Sequence, residues 1–195
     1  MRLNKLVLGT VLAVVAAASH AATFSFSGDI ATQKDVVIIP FSLNADATNV
    51  RVWTDSFQNA LNFDPITAVW HGDGSLIAQN DDAPGIAPGQ TYFDSGLTFA
   101  TLAKGNYYFT VATFDNFAKG TNMSQGFRYD ADPAIPLQTW CQPASHCGMG
   151  THYSVHLDGV DAASAPVPEP STYAMLLAGL AIVPAVARRQ RRKQA

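Results

Sequence analysis

The stretch FDPITAVWHGDGSLIAQNDDAPG, residues 63–85, decides how this chain folds. Two apolar runs, 66–70 and 75–79, are parted by Gly72-Asp73-Gly74. β-prone runs joined by a glycine-bearing turn form a hairpin, because glycine takes up the positive φ of a tight turn at little cost. Asn80-Asp81-Asp82 ends the returning strand, and short polar side chains favour turns by bonding nearby main chain. Outward from this hairpin the same grammar repeats. Residues 23–27 (TFSFS) alternate, with Phe24 and Phe26 on one face. Residues 35–43 (DVVIIPFSL) are a β-branched run in which Pro40 marks a sheet edge or a bulge. Runs at 49–54, 97–102 and 107–114 follow. In residues 151–158 (THYSVHLD), Tyr153, Val155 and Leu157 are predicted to face inward, with His152, Ser154 and His156 outward. Short strands punctuated by turns, with no helical period, predict an all-β antiparallel sandwich or barrel.

The two ends do not belong to this pattern. Residues 1–21 run from Arg2 and Lys5 through an apolar stretch to Ser19-His20-Ala21. That is the order of a secretory signal peptide, a helix cleaved after Ala21. Residues 162–166 are small and contain proline, a linker rather than an element. Beyond it stand Val167, Pro168, Glu169 and Pro170, then sixteen uncharged residues, 172–187, then Arg188, Arg189, Arg191, Arg192 and Lys193. Sixteen residues reach the lower edge of spanning length, and cations beyond such a stretch stay on the cytoplasmic side. A short transmembrane helix with a cytoplasmic basic cluster is therefore expected. The domain between, 22–161, holds five basic residues against fourteen Asp and no Glu, a net −9 where the whole chain carries −3. Such a domain repels phosphate backbones, which argues against nucleic acid as a partner.

The pattern weakens at residues 115–150, rich in Gly, Pro, Asn and Asp. A loop of that length in a compact domain is functional, braced, or a sign of missed elements. Cys141 and Cys147 are the only cysteines and offer a brace as a disulfide, suited to an oxidising compartment. The rival reading is a metal site completed by His146, although the three lack zinc-ligand spacing.

The tail, from Val167-Pro168-Glu169-Pro170-Ser171-Thr172 through the apolar stretch to the arginine cluster, strongly resembles the PEP-CTERM sorting signal of Gram-negative bacteria. The resemblance implies that an exosortase processes the tail, after an intermediate anchored in the inner membrane. It also implies a final place at the cell surface or in an exopolysaccharide matrix, as in a biofilm. Residues 63–85 and 92–116 (YFDSGLTFATLAKGNYYFTVATFDN), with FDNFAKGTNMSQGF at 114–127, resemble the bacterial pre-peptidase C-terminal domain. That resemblance implies a jelly-roll-like β-sandwich over 22–161.

Within the domain, Asn80, Asp81 and Asp82 crowd one end of the predicted sandwich, and Asp64 and Asp94 flank neighbouring strands. Together with Asp73 in the hairpin turn they form a candidate calcium site, since adjacent carboxylates repel unless a cation or main-chain amides compensate. The competing reading is Asp-rich turns bonding their own backbone. Asp81 and Asp82, if extended, would point to opposite faces, which does not suit a paired acid and base. No G-x-S-x-G, H-E-x-x-H or Cys–His nucleophile pattern occurs, and no catalytic residue is assigned. The expected role is a non-catalytic envelope or matrix interaction module. Alternatives are a carbohydrate-binding module using Trp53, Trp70, Trp140, Tyr92 or Tyr129, and a secreted hydrolase. The exported protein is expected to begin at Ala22; N-terminal sequencing that returns Met1 contradicts the signal peptide.

Overall fold

The computed structural model describes residues 22–143 and 146–166. The expected signal peptide, the sorting motif Val167, Pro168, Glu169 and Pro170, the expected transmembrane helix and the basic cluster lie outside the described residues. Among the described residues no helix is long and apolar enough to cross a membrane.

Among the described residues nine strands form: β1 Ala22–Asp29, β2 Val36–Leu43, β3 Ala47–Thr54, β4 Pro65–His71 and β5 Leu76–Asn80. They continue with β6 Gly96–Leu102, β7 Gly105–Thr113, β8 His152–Val160 and the two-residue β9 Ala162–Ala163. Every strand expected from alternation is present, and the hairpin turns where Gly74 takes φ +84°. Its closure is made by His71 N–H on Ser75 O at 2.8 Å.

The strands divide into two antiparallel sheets, ordered β1-β8-β3-β6 and β5-β4-β7-β2-β9. Apart from the β4–β5 hairpin, the chain crosses between sheets at each connection. That alternation is the strand order of a jelly-roll sandwich. Facing residues fill the space between the sheets. Val37, Ile39 and Phe41 of β2 and Phe109 and Val111 of β7 come from one sheet. Val50 and Val52 of β3 with Val155 and Leu157 of β8 come from the other. As predicted, Tyr153, Val155 and Leu157 are inside. Each such side chain fully withdrawn from water contributes about 1.5–3 kcal/mol before conformational entropy is set against it.

β2 pairs β7 without a register shift, through Pro40↔Tyr108, so Pro40 marks an edge and makes no bulge. Its carbonyl faces outward and accepts Ser164 N–H at 3.0 Å. The stretch 162–166 expected as a linker thus begins as β9, with Phe41↔Ala163 and Ser42↔Ala162.

The segment after β7 is a second layer. Ala68 and Trp70 on the outer face of β4 are covered by Phe127, with Ala118, Met123, Val36, Leu76 and Tyr108 packed around them. Phe127 meets Trp70 edge to face at 6.1 Å. Trp70 keeps its own polar atom satisfied by donating Nε1–H to Thr110 Oγ1 at 2.9 Å. A single 3₁₀ turn, Met123–Gln125, is capped by Asn122 and hangs on the hairpin through Met123 N–H to Gly74 O. Further along, the buried Gln33 amide donates to Pro133 O at 2.7 Å and accepts Ile135 N–H at 2.8 Å. Leu137 is wholly buried close by. The long connection is therefore braced along its length and is part of the fold. Phe127→Ala is expected to cost about 3 kcal/mol in urea unfolding. A loss below about 1 kcal/mol would mean that this segment does not cover the sheet.

Candidate functional site

Antiparallel register sends alternate connections to opposite ends of the sandwich. β4 begins where β7 ends, at Pro65↔Thr113, and where β5 ends, near Thr67↔Asn80. β3 ends where β6 begins, at Trp53↔Gly96. Connections 30–35, 55–64, 81–95 and 114–151 therefore gather at one end, called here the loop end. The hairpin turn 72–75 lies at the other.

At the loop end, carboxylate oxygens of Asp64, Asp81 and Asp82 lie within 4.8 Å of one another. Asp64 precedes β4 and is 4% exposed; Asp81 and Asp82 follow β5 in the next connection. Because both residues have left the strand, the alternation that would point them apart does not apply, and they share one site. Asp64 Oδ2 accepts Gln142 Nε2–H at 2.9 Å, while Asp64 Oδ1, Asp81 Oδ1 and Gln142 Oε1 are buried with no hydrogen-bond partner. None of the ion pairs among the described residues involves the three carboxylates; those pairs are Arg51–Asp158, Arg128–Asp115 and His156–Asp55.

Three further residues of the predicted set serve the fold. Asp94 is fully buried and accepts Thr54 Oγ1–H and Phe57 N–H on one oxygen, Thr91 N–H and Oγ1–H on the other. Asn80 donates to Asp82 O and Gly96 O. Asp73 sits at the far end in its own turn, taking Ser75 N–H at 2.9 Å and Ser75 Oγ–H at 2.6 Å, which lowers its pKa. Cys141 and Cys147 form a disulfide. Of the aromatic candidates, Trp53, Trp70, Trp140 and Tyr129 are buried, whereas Tyr92 is 51% exposed at the loop end.

Two features were not legible in the sequence. Gln142 reaches Asp64 across 78 positions, and no local pattern links them. On the outer face of the other sheet, Ser25 Oγ lies 2.8 Å from His156 Nδ1, and His156 Nε2 lies 2.9 Å from Asp55 Oδ2. The order is that of a nucleophile, base and acid. Yet Ser25 and His156 are direct cross-strand partners, and the imidazole stacks on Trp53 at 5.1 Å. Cross-strand polar and aromatic pairing of this kind stabilises a sheet, and the outward prediction for His156 and Ser154 fits it.

The electrostatics of the acidic cluster follow from its burial. Desolvation raises the Asp64 pKa to about 7, opposed by the Gln142 hydrogen bond and reinforced by Asp81, Asp82 and Asp94. Asp81 is raised to about 6 by desolvation, then by Asp82 and Asp115, and desolvation raises Asp82 as well. The native state holds protons that the unfolded chain releases near pH 4. This contribution to stability is full below about pH 4 and is lost as pH climbs through about 6 to 7. In chelator, Asp64→Asn should be nearly neutral at pH 4 and stabilising by on the order of 1 kcal/mol at pH 8 in urea unfolding. A difference from wild type that does not grow with pH contradicts the assigned burial.

Residues 166–193 match the PEP-CTERM protein-sorting motif. The tail thus carries the signal of exosortase-dependent sorting, which supports export and cell-surface sorting in bacteria. No curated protein matches the chain.

Proposed function

We propose that this is a non-catalytic interaction module of the bacterial envelope or extracellular matrix. In this reading it is exported by its signal peptide, held briefly in the inner membrane of a Gram-negative cell, released or transferred by an exosortase, and associated with exopolysaccharide. The observation that carries the reading is the sorting motif at 166–193, placed directly after an acidic β domain. The jelly-roll strand order supports the further likeness to the pre-peptidase C-terminal domain, a module that accompanies exported proteins. Four connections gathered at one end give such a module a single face on which to meet a partner. The serine–histidine–aspartate line is assigned to sheet pairing, since its histidine is packed against Trp53 and its serine stands exposed on a strand.

One observation favours a narrower carbohydrate-binding version. Tyr92 presents its ring at the loop end with Phe93 and Phe57 packed against it, a preorganised aromatic surface of the kind sugars stack on. The test is fractionation of the native host with and without its exopolysaccharide. The protein is expected in the matrix-bound pool of the producing strain and in the free pool of the deficient one, lacking residues 188–195. Equal distribution in both strains contradicts the exopolysaccharide association, and retention of 188–195 on the mature protein contradicts processing. Under the narrower version, Tyr92→Ala lowers binding to isolated polysaccharide by about tenfold, in line with an exposed aromatic contact worth 1–2 kcal/mol.

A further inference from the structure

We propose that Asp64, Asp81 and Asp82, together with the side-chain amide oxygen of Gln142, bind a divalent cation of the calcium class, and that the ion clamps the disulfide-closed segment onto the loop end. Three carboxylates whose oxygens lie within 4.8 Å of one another suit a hard cation. Proximity alone would not make a site, because acidic turns are common. The second observation is the unmet bonding capacity inside it. Asp64 and Gln142 are each 4% exposed, and each keeps one buried oxygen without a partner; a third such oxygen belongs to Asp81. Buried oxygens without donors are costly, and native folds leave few of them. Here they belong to side chains brought together from three separate connections.

The donor set selects the ion class. It is all oxygen and carries three formal negative charges, with no thiolate or imidazole among its members. Soft and borderline metals prefer sulfur and nitrogen, whereas calcium takes six to eight oxygens in flexible geometry and tolerates a mixture of carboxylate, amide and water. Gln142 is adaptable in the required sense. Its Nε2–H now occupies Asp64 Oδ2, and a half-turn of the amide exchanges Oε1 for Nε2 beside the same carboxylate. The sequence-derived set shrinks accordingly. Asp94 has both oxygens committed to four donors, Asn80 is held through its amide nitrogen on two main-chain carbonyls and is absent from the carboxylate trio, and Asp73 is at the opposite end.

The clamp follows from where Gln142 sits. It lies between Cys141 and Cys147, whose bridge closes a six-residue step. A single ion held by Asp64 and Gln142 would join that small ring to the start of β4, and through Asp81 and Asp82 to the end of β5. The site stands apart from the sorting reading, so failure here leaves the fractionation experiment untouched.

The test uses the full chain, melted in chelator and in calcium chloride, with hydrogen exchange followed at residues 141–150. At calcium about a hundredfold above its Kd the melting temperature is expected to rise by about 5 °C or more, and exchange at 141–150 to slow. Asp64→Asn and Asp82→Asn should each abolish both responses. Asp82 is exposed, so its variant remains informative if the Asp64 variant does not fold. Asp73→Asn should respond like wild type. An unchanged melting temperature overturns the site, as does a calcium response that survives Asp82→Asn or disappears in Asp73→Asn. Stabilisation without slower exchange at 141–150 overturns the clamp.

Discussion

The carboxylate of Asp94 has no exposed surface and receives four hydrogen bonds, from Thr54, Phe57 and twice from Thr91. Much of the loop end is hung on it. Thr54 closes β3, Phe57 opens the next connection, and Thr91 belongs to the connection that leads into β6. One buried side chain therefore fixes where three stretches of chain meet. Bonds to an ionised acceptor contribute about 1.5–3 kcal/mol each, and removing the acceptor would strand several donors in a dry environment. Next to it Ser95 continues the network, linking Thr54, Thr67 and Asn80 across the gap between the sheets. The acidic trio is presented by elements this network holds still.

Burial gives the remaining carboxylates a different character. Asp94 is surrounded by donors, whereas Asp64 has a single donor in Gln142 and acidic neighbours on its other side. Two residues of one type, both nearly inaccessible to water, thus meet different surroundings. Asp94 has both oxygens met by donors; Asp64 has its charged form opposed by burial. The difference lies entirely in what faces them, which is why composition alone could nominate both but not separate them.

The strands were legible because a sheet with one face in the core writes its register into the sequence as alternation. Residues 23–27, 49–54 and 151–158 all show it, and the structure extends each by only a few residues. The covering layer was not legible. Ala118, Met123 and Phe127 pack on the outer face of β4, but they arrive at irregular intervals from turns, and no period announces them. The signal available for them was Trp70 and Ala68, apolar residues on a face that a one-layer reading would leave in water, and strand alternation makes no use of it. β9 was not legible because two alanines on so short a strand show no alternation. At the candidate site, Asp64, Asp81 and Asp82 could be nominated from spacing along the hairpin. Gln142 could not, since its link to Asp64 exists only once the chain has folded.

Pro40 has one more effect. Its carbonyl points to the open side of β2, where it accepts from Ser164, and as an imino residue it offers no donor beside that carbonyl. Any foreign strand laid along this rim would find an acceptor with no matching N–H, and the ladder would break in the middle. β9 stays two residues long beside the same gap. Copies crowded side by side therefore lack a continuous template for pairing along this rim.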